Sequence, residues 1–440
     1  MNFIILFLYE IALILMTILA IPKVIYSLIF HKKYRHSLLE RFGFGFPISG
    51  LNRKPSIWIH AVSLGETKAI VSVARELKKH FPDHHLIISS ASETGHAEAK
   101  RSLPFADYHV FFPLDFSFIV RRIIKKASPR LVVLCESDFW YNFLCYAKKQ
   151  GAAIALVNGK ISERSMRRFS IVSFFSNRLF GLFDVICSQN RLYRGRFIEA
   201  GADPQKIAIT GNLKFDDEHP QLTPDETADW RRKFGIESSQ TVLTIGSTHS
   251  PEEYMILEVL EDIWSKHPDL RVILVPRHPE RFKEVGQILE KEGIRWINFS
   301  DIKQRTGREQ VILIDAMGLL RMCYQLSDLT IVGGSFTDKV GGHNILEPCW
   351  YGKPVLFGPH MGTQVEMVDL MNQYGGGKQV VQEQLYSTLE LWIENREERE
   401  EIGAKGFRLV KDLKGSTDKT LKVLEPLLSR LRACSKSSIG

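Results

Sequence analysis

Six cysteines in 440 residues, with no C-x-x-C spacing among Cys135, Cys145, Cys187, Cys323, Cys349 and Cys434, give neither a zinc-ligand frame nor a disulfide scaffold. They read as buried free thiols of a reducing compartment. No G-x-G-x-x-G follows the first apolar run of the globular part, and no glycine cluster has P-loop spacing, so both common phosphate-loop fingerprints are missing. The chain also lacks low-complexity tracts and any repeat shorter than a domain. No basic segment precedes the apolar N-terminus, which argues against a cleaved secretory signal.

What remains is ordinary globular composition, 44% apolar and 25% charged, in a chain long enough for two or three domains. The net charge of +8 points to anionic partners, and no nucleic-acid-binding module accompanies it. Residues 3 to 30, "FIILFLYEIALILMTILAIPKVIYSLIF", exceed the roughly 20 apolar residues that cross a bilayer and are interrupted by Glu10, Pro22 and Lys23. "HKKYRH" follows, placing the rest of the chain in the cytoplasm. Glu10 leaves open whether this segment spans or lies in the interface.

From residue 55, short apolar runs alternate with amphipathic stretches: 56–62, 85–90, 130–137, 152–158 and 184–188, then 241–247, 271–276, 311–315, 329–335 and 353–358. Such alternation predicts parallel sheets covered on both faces by helices. The polar, proline-bearing stretch "DEHPQLTPDETADW" separates the two series. The expected organisation is a membrane anchor at 1–32, a Rossmann-like domain at 33–215, a linker at 216–240, and a second Rossmann-like domain with terminal helices at 241–433. Two such domains suggest a cleft between them.

In "HAVSLGETKAI", Ser63 and Glu66 have the spacing of a capping box, and taken alone that is the commoner reading. In the second series, Arg277 and His278 leave one strand, Asp315 and Gly318 another. "VGGSFTDKVGGHNILEP" offers glycines whose amides can approach a phosphate, then Asn344 and Glu347 at helical i, i+3 spacing. A carboxylate beside a phosphate suits a ribose diol, which favours a nucleotide over a bare anion. Taken alone, each loop reads more readily as a turn or a cap.

"HAVSLGE", "SETG", "ESDFW", "VNGKISERS", "GNLKFD", "PRHPERF", "VGGSF" and "GGHNILEP…GKPVLFGPH" together resemble, in order and spacing, the Kdo transferases of lipopolysaccharide assembly. The resemblance implies a membrane-anchored, inverting glycosyltransferase of the GT-B type. It would move 3-deoxy-D-manno-octulosonic acid (Kdo) from CMP-Kdo to the lipid A precursor, lipid IVA, at the cytoplasmic face of the inner membrane. It implies Glu66 as general base and Glu136 and Lys214 as stabilisers of the transition state. For CMP it implicates Pro276, Arg277, Ala316, Met317, Gly318, Leu319, Asn344, Ile345, Leu346 and Glu347. The family often has an acidic residue and Trp-Pro where this chain reads Asp138-Phe139-Trp140-Tyr141, which leaves the role of Asp138 open.

The chemistry agrees with that assignment. CMP is already a good leaving group, so the enzyme must supply a base for the acceptor hydroxyl and a cationic seat for the phosphate. No metal and no cofactor are expected, although Glu136-Ser137-Asp138 mimics an acid-x-acid ligand pair. Between Lys160 and Arg196, eight Lys or Arg, including Arg164, Arg167 and Arg168, interleave with "FSIVSFF" as a surface suited to phosphorylated glycolipid or inner-membrane phospholipids. A solvated basic face is the plainer alternative, and nucleic acid is not expected. A UDP-sugar transferase or epimerase on the same scaffold, and a non-catalytic sugar-nucleotide-binding protein, are the competing functions.

Overall fold

The computed structural model describes residues 3–30, 37–44, 54–217 and 219–436. The chain divides into two compact units, one formed by Met1–Asp217 with Leu413–Gly440 and the other by Glu218–Asp412. In the first, β1 (Ser56–His60), β2 (His85–Ser90), β3 (Tyr108–Phe111), β4 (Pro129–Cys135), β5 (Ala153–Gly159), β6 (Val185–Ser188) and β7 (Ile207–Ile209) make one sheet. Their order is β3-β2-β1-β4-β5-β6-β7, and every pairing is parallel.

A strand turns successive side chains to opposite faces, so a central strand covered on both sides must be apolar throughout. β1 obeys this: Trp58 enters one core cluster with Val132 and Leu134, while Ile57 and Ile59 enter another with Leu131 and Val133. All five residues of β1 are buried. The strand order reverses between β1 and β4, the crevice where open parallel sheets hold their ligands.

In the second unit, β8 (Val242–Thr248), β9 (Arg271–Pro276), β10 (Trp296–Asn298), β11 (Val311–Leu313), β12 (Leu329–Val332), β13 (Val355–Phe357) and β14 (Gly377–Gln379) form another parallel sheet. The order is β10-β11-β9-β8-β12-β13-β14, with the reversal between β8 and β12. Leu243 and Ile245 of β8 pack on one face, and Val242 joins Ile273 and Val275 on the other.

Ten of the fourteen strands coincide with the apolar runs. The other four, β3, β7, β10 and β14, are the edges of the two sheets. They are three or four residues long and partly exposed, so they carry too little apolar surface to stand out in the sequence.

Two domain limits differ from those expected. Residues 224–234 are no linker: Pro224–Phe234 is a helix with a Thr223/Glu226 capping box, and its Phe234 and Trp230 pack in the second unit. The terminal helix Ser416–Lys436 belongs to the first unit, where Leu424, Leu427, Leu428 and Leu431 form a stripe in the core cluster of Ile57 and Ile59. Asp216 holds the start of that helix, its carboxylate accepting from Gly415 N (2.8 Å), Ser416 N (3.2 Å) and Thr417 N. An amphipathic stripe announces a buried face without saying which core it covers.

Cys135, Cys145, Cys187, Cys323 and Cys349 are buried and unbridged. One helix among the described residues, Phe3–Phe30, is long and apolar enough to cross a membrane; its window Ile5–Pro22 has mean hydropathy 2.4.

Candidate active site

Where β1 ends, the chain turns into the short helix Leu64–Ala69. Ser63 is extended at the N-cap and its Oγ accepts from Glu66 N at 3.3 Å; the Glu66 carboxylate answers by accepting from Val62 N at 2.9 Å and Ser63 Oγ at 3.2 Å. The capping geometry is therefore real, and it fixes the carboxylate at the C-terminal edge of β1. Burial pushes Glu66 above the usual carboxylate range, and the negative charge of Glu136 adds to this, against the Val62 amide, Ser63 and His60.

Glu136 follows β4, the neighbour of β1 at the strand-order reversal. It is a non-glycine residue at φ 64°, a conformation that costs energy and persists only where its surroundings enforce it. The carboxylate is buried and holds two cations, Lys214 Nζ on Oε1 at 2.6 Å and Lys160 Nζ on Oε2 at 2.5 Å. Both lysines keep substantial exposure, 40% and 39%, so two half-open ammonium groups share one buried anion. The cluster Glu136, Lys160 and Lys214 carries a net positive charge beside Glu66.

Asn158, after which β5 closes, organises this group. It sits at φ 53°, its Nδ2 reaches Glu136 Oε1 at 3.4 Å, and its Oδ1 accepts from Leu213 N at 2.9 Å, one residue before Lys214. Lys214 Nζ lies 3.9 Å from where a Cβ on Gly65 would be, which places the ammonium over the turn that carries Glu66. Glu66, Glu136 and Lys214 are thus brought together. Sequence reasoning assigned Lys160 to a basic surface and passed over Asn158; the signal was "VNGK", whose Asn and Lys close the strand next to β4.

Asp138 does not join Glu136. Its Oδ2 accepts from His60 Nε2 at 3.0 Å and from Trp140 Nε1 at 2.5 Å. The two carboxylates of the acid-x-acid pair therefore serve different partners.

In the second unit, the expected nucleotide residues lie on loops at the C-terminal edge of its sheet. Pro276 is buried at the end of β9 and Arg277 is exposed, its N–H bonded to Thr248 O at 3.1 Å. Ala316 to Leu319 form the turn after β11, with Gly318 at φ 86° and Met317 59% exposed. Asn344 is exposed and its Oδ1 accepts from Leu346 N at 3.0 Å, while Ile345 and Leu346 are buried. Glu347 accepts from Arg321 Nε at 3.3 Å.

Two expectations fail here. Asn344 and Glu347 do not share an α-helix face: the segment is a turn leading into the 3-10 turn Pro348–Tyr351, where Pro348 and Gly352 bracket too few residues for an α-helix. The amides of "VGGSF" are not open to a phosphate either. Glu252, buried at the start of helix Glu252–Lys266, accepts from Gly334 N (2.7 Å), Ser335 N (3.0 Å), Phe336 N (2.8 Å) and His249 N (2.9 Å).

Sequence reasoning also missed a histidine group. His249 Nε2 and His343 Nε2 are 2.8 Å apart, and the His249 and His278 rings are 5.2 Å apart. Burial, with the fields of His249 and Arg277, pushes His343 down to about 4, so it is neutral at physiological pH.

Arg164, Arg167 and Arg168 are exposed on the helix Glu163–Ile171, whose Met166 and Phe169 pack on the core. Arg167 pairs with Glu163. Beside them Ile171 is 83% and Phe174 59% exposed, the latter under Arg178 at 3.7 Å.

The family described as "3-Deoxy-D-manno-octulosonic-acid transferase (kdotransferase)" matches residues 36–217, the stretch that carries Glu66, Glu136, Asn158, Lys160 and Lys214. The 3-deoxy-D-manno-octulosonic acid transferase of Chlamydophila psittaci is 34% identical over 418 residues, covering 94% of each chain. That of Haemophilus influenzae is 30% identical over 404 residues, covering 90% of this chain and 93% of its own. A crystal structure of a glycosyltransferase from Rickettsia africae ESF-5 covers 85% of this chain and 99% of its own with TM-score 0.58 at 17% identity, a likeness of fold, here of the GT-B type. With relatives matching from end to end and a site-bearing unit that fits the family by itself, this chain is a glycosyltransferase of the 3-deoxy-D-manno-octulosonic acid transferase family.

Proposed function

We propose that the protein transfers Kdo from CMP-Kdo to the lipid A precursor, lipid IVA, with inversion, and that Glu66 is the general base. The observation that carries this reading is the pairing of Glu66 with Glu136, Lys160 and Lys214 at the strand-order reversal of the first sheet. Glu66 takes the proton of the acceptor hydroxyl as its oxygen bonds to the anomeric carbon of Kdo. CMP leaves from the opposite face with the electron pair of the broken C–O bond. A base needs to be ionised yet poised to accept a proton, and a carboxylate raised by burial is better matched to that than a solvated one.

Glu136 orients Lys160 and Lys214 while leaving them half exposed, so their charge can offset the phosphate or the carboxylate of Kdo. With two ammonium groups at hand, we assign no metal to Glu136 and Asp138. Pro276, Arg277, Ala316 to Leu319 and Asn344 to Glu347 are the proposed CMP contacts. Arg277 supplies charge and the turn Ala316 to Leu319 supplies backbone groups. Arg164, Arg167 and Arg168, with the apolar residues beside them, are proposed to meet the phosphorylated acceptor and anionic phospholipid.

Incubation with CMP-Kdo and a tetraacylated lipid A precursor in excess EDTA, followed by mass analysis, tests the assignment. The product should gain the mass of one or more Kdo residues. No transfer from CMP-Kdo, or transfer from a UDP-sugar instead, would replace this reading with the competing one.

A further inference from the structure

The helix Phe3–Phe30 is joined to the first unit near its beginning, not only through the chain that follows it. The Glu10 carboxylate accepts from Ser117 N at 2.7 Å and Asn142 Nδ2 at 3.0 Å, so it caps the helix Ser117–Ala127. Tyr9 donates to Asp115 Oδ2 at 2.8 Å, and its ring lies 5.9 Å from Phe175 and 5.5 Å from Tyr141. Ile5 and Leu13 are buried on the same side. The acidic charge within the apolar run is thus satisfied by the protein itself.

The chain also returns to this unit soon after the helix. Glu40 accepts from Phe111 N at 2.8 Å and Leu114 N donates to Arg41 O at 2.8 Å. At 1.5 Å per residue the helix runs about 30 Å from Glu10 to Phe30, the full thickness of a hydrocarbon layer. The seven steps from Phe30 to Ser37 reach about 25 Å at full stretch. A transbilayer course starting from the seated Glu10 would leave the far end unable to return, and would draw His31, Lys32, Lys33 and Arg35 through hydrocarbon.

We infer that this helix does not cross the membrane but lies along the acyl-headgroup boundary, with its N-terminus on the same face as the globular units. Its lipid-facing side consists of apolar residues such as Leu8, Leu15 and Leu19, 58%, 56% and 80% exposed. Phe118, next to Ser117, is 71% exposed, and Phe174, next to Phe175, is 59% exposed, so both extend the apolar surface from the two places where the helix is seated. Arg178 over Phe174 supplies charge for anionic headgroups where that surface ends. The occupant of this face is the bilayer. The inference rests on the membrane attachment proposed above and is independent of sugar transfer, which the product assay measures separately.

Two measurements on the full chain test it. With a different epitope at each terminus, protease should reach both tags in inverted inner-membrane vesicles and neither in intact spheroplasts; tags on opposite faces would overturn the inference. In nanodiscs containing anionic phospholipid, Glu10→Ala should speed hydrogen exchange of the Ser117 amide at least tenfold. Unchanged exchange would show that the helix is not seated on the unit in lipid, and would overturn it as well.

Discussion

Each unit places a buried glutamate at the C-terminal edge of its sheet, beside the strand-order reversal, and the two are neutralised in different ways. Glu136 is held by two lysine ammonium groups and an asparagine amide. Glu252 is held by four backbone N–H groups from two loops. Side-chain cations on flexible stems can be redirected to a substrate; backbone amides cannot leave without the loop. The same device therefore fixes loop architecture in the second unit, and in the first it leaves two cations free to turn, as the proposed chemistry requires.

Removing the carboxylate in the second unit and one of the carboxylate's cations in the first separates the two roles. The largest expected effect is on stability: Glu252→Ala leaves four amides without an acceptor at about 1–3 kcal/mol each, partly relieved by water, for a loss of about 3 kcal/mol or more. That lowers the unfolding midpoint by about 6–12 °C for a unit of this size, read by calorimetry. An unchanged midpoint would mean that the loop does not depend on Glu252.

Lys214→Ala should do the reverse. Loss of one donor to developing charge lowers kcat by about 100-fold or more, while the melting midpoint moves less than in Glu252→Ala, because buried Glu136 keeps Lys160 and Asn158. Equal loss of stability and activity would erase the contrast between the two units.

The smallest effect sharpens the second unit's part. Arg277→Ala should raise KM for CMP-Kdo about tenfold, with kcat kept within about threefold, because a ground-state contact to the nucleotide is removed. A fall in kcat at unchanged KM would place Arg277 with the reacting atoms instead.

Much of this contrast was legible in the sequence, and what was not has physical reasons. Central strands declare themselves because both faces must be apolar; the edge strands Trp296–Asn298 and Gly377–Gln379 do not. Glu66, Glu136 and Lys214 follow strand ends, where open parallel sheets keep their chemistry. Lys160 was hidden because it opens a basic run and only the fold turns it toward Glu136. Glu252 was hidden because "SPEE" reads as an ordinary helix start, and three of its four partners lie more than 80 residues away. The helical spacing of Asn344 and Glu347 misled because Pro348 turns the segment into a 3-10 turn.

The central claim is that the Glu66 carboxylate is both cap and base, and its titration tests that most directly. A base must be ionised, so activity rises with pH as Glu66 loses its proton; with its pKa raised by burial, the acid limb of kcat/KM should lie above the ordinary carboxylate range. Glu66→Gln keeps an acceptor for the Val62 amide but has no basic oxygen. The account predicts that this variant keeps its fold and CMP affinity, loses about 100-fold or more in kcat, and no longer shows the acid limb. Turnover near that of the wild type, with the acid limb unchanged, would leave Glu66 as a helix cap and nothing more.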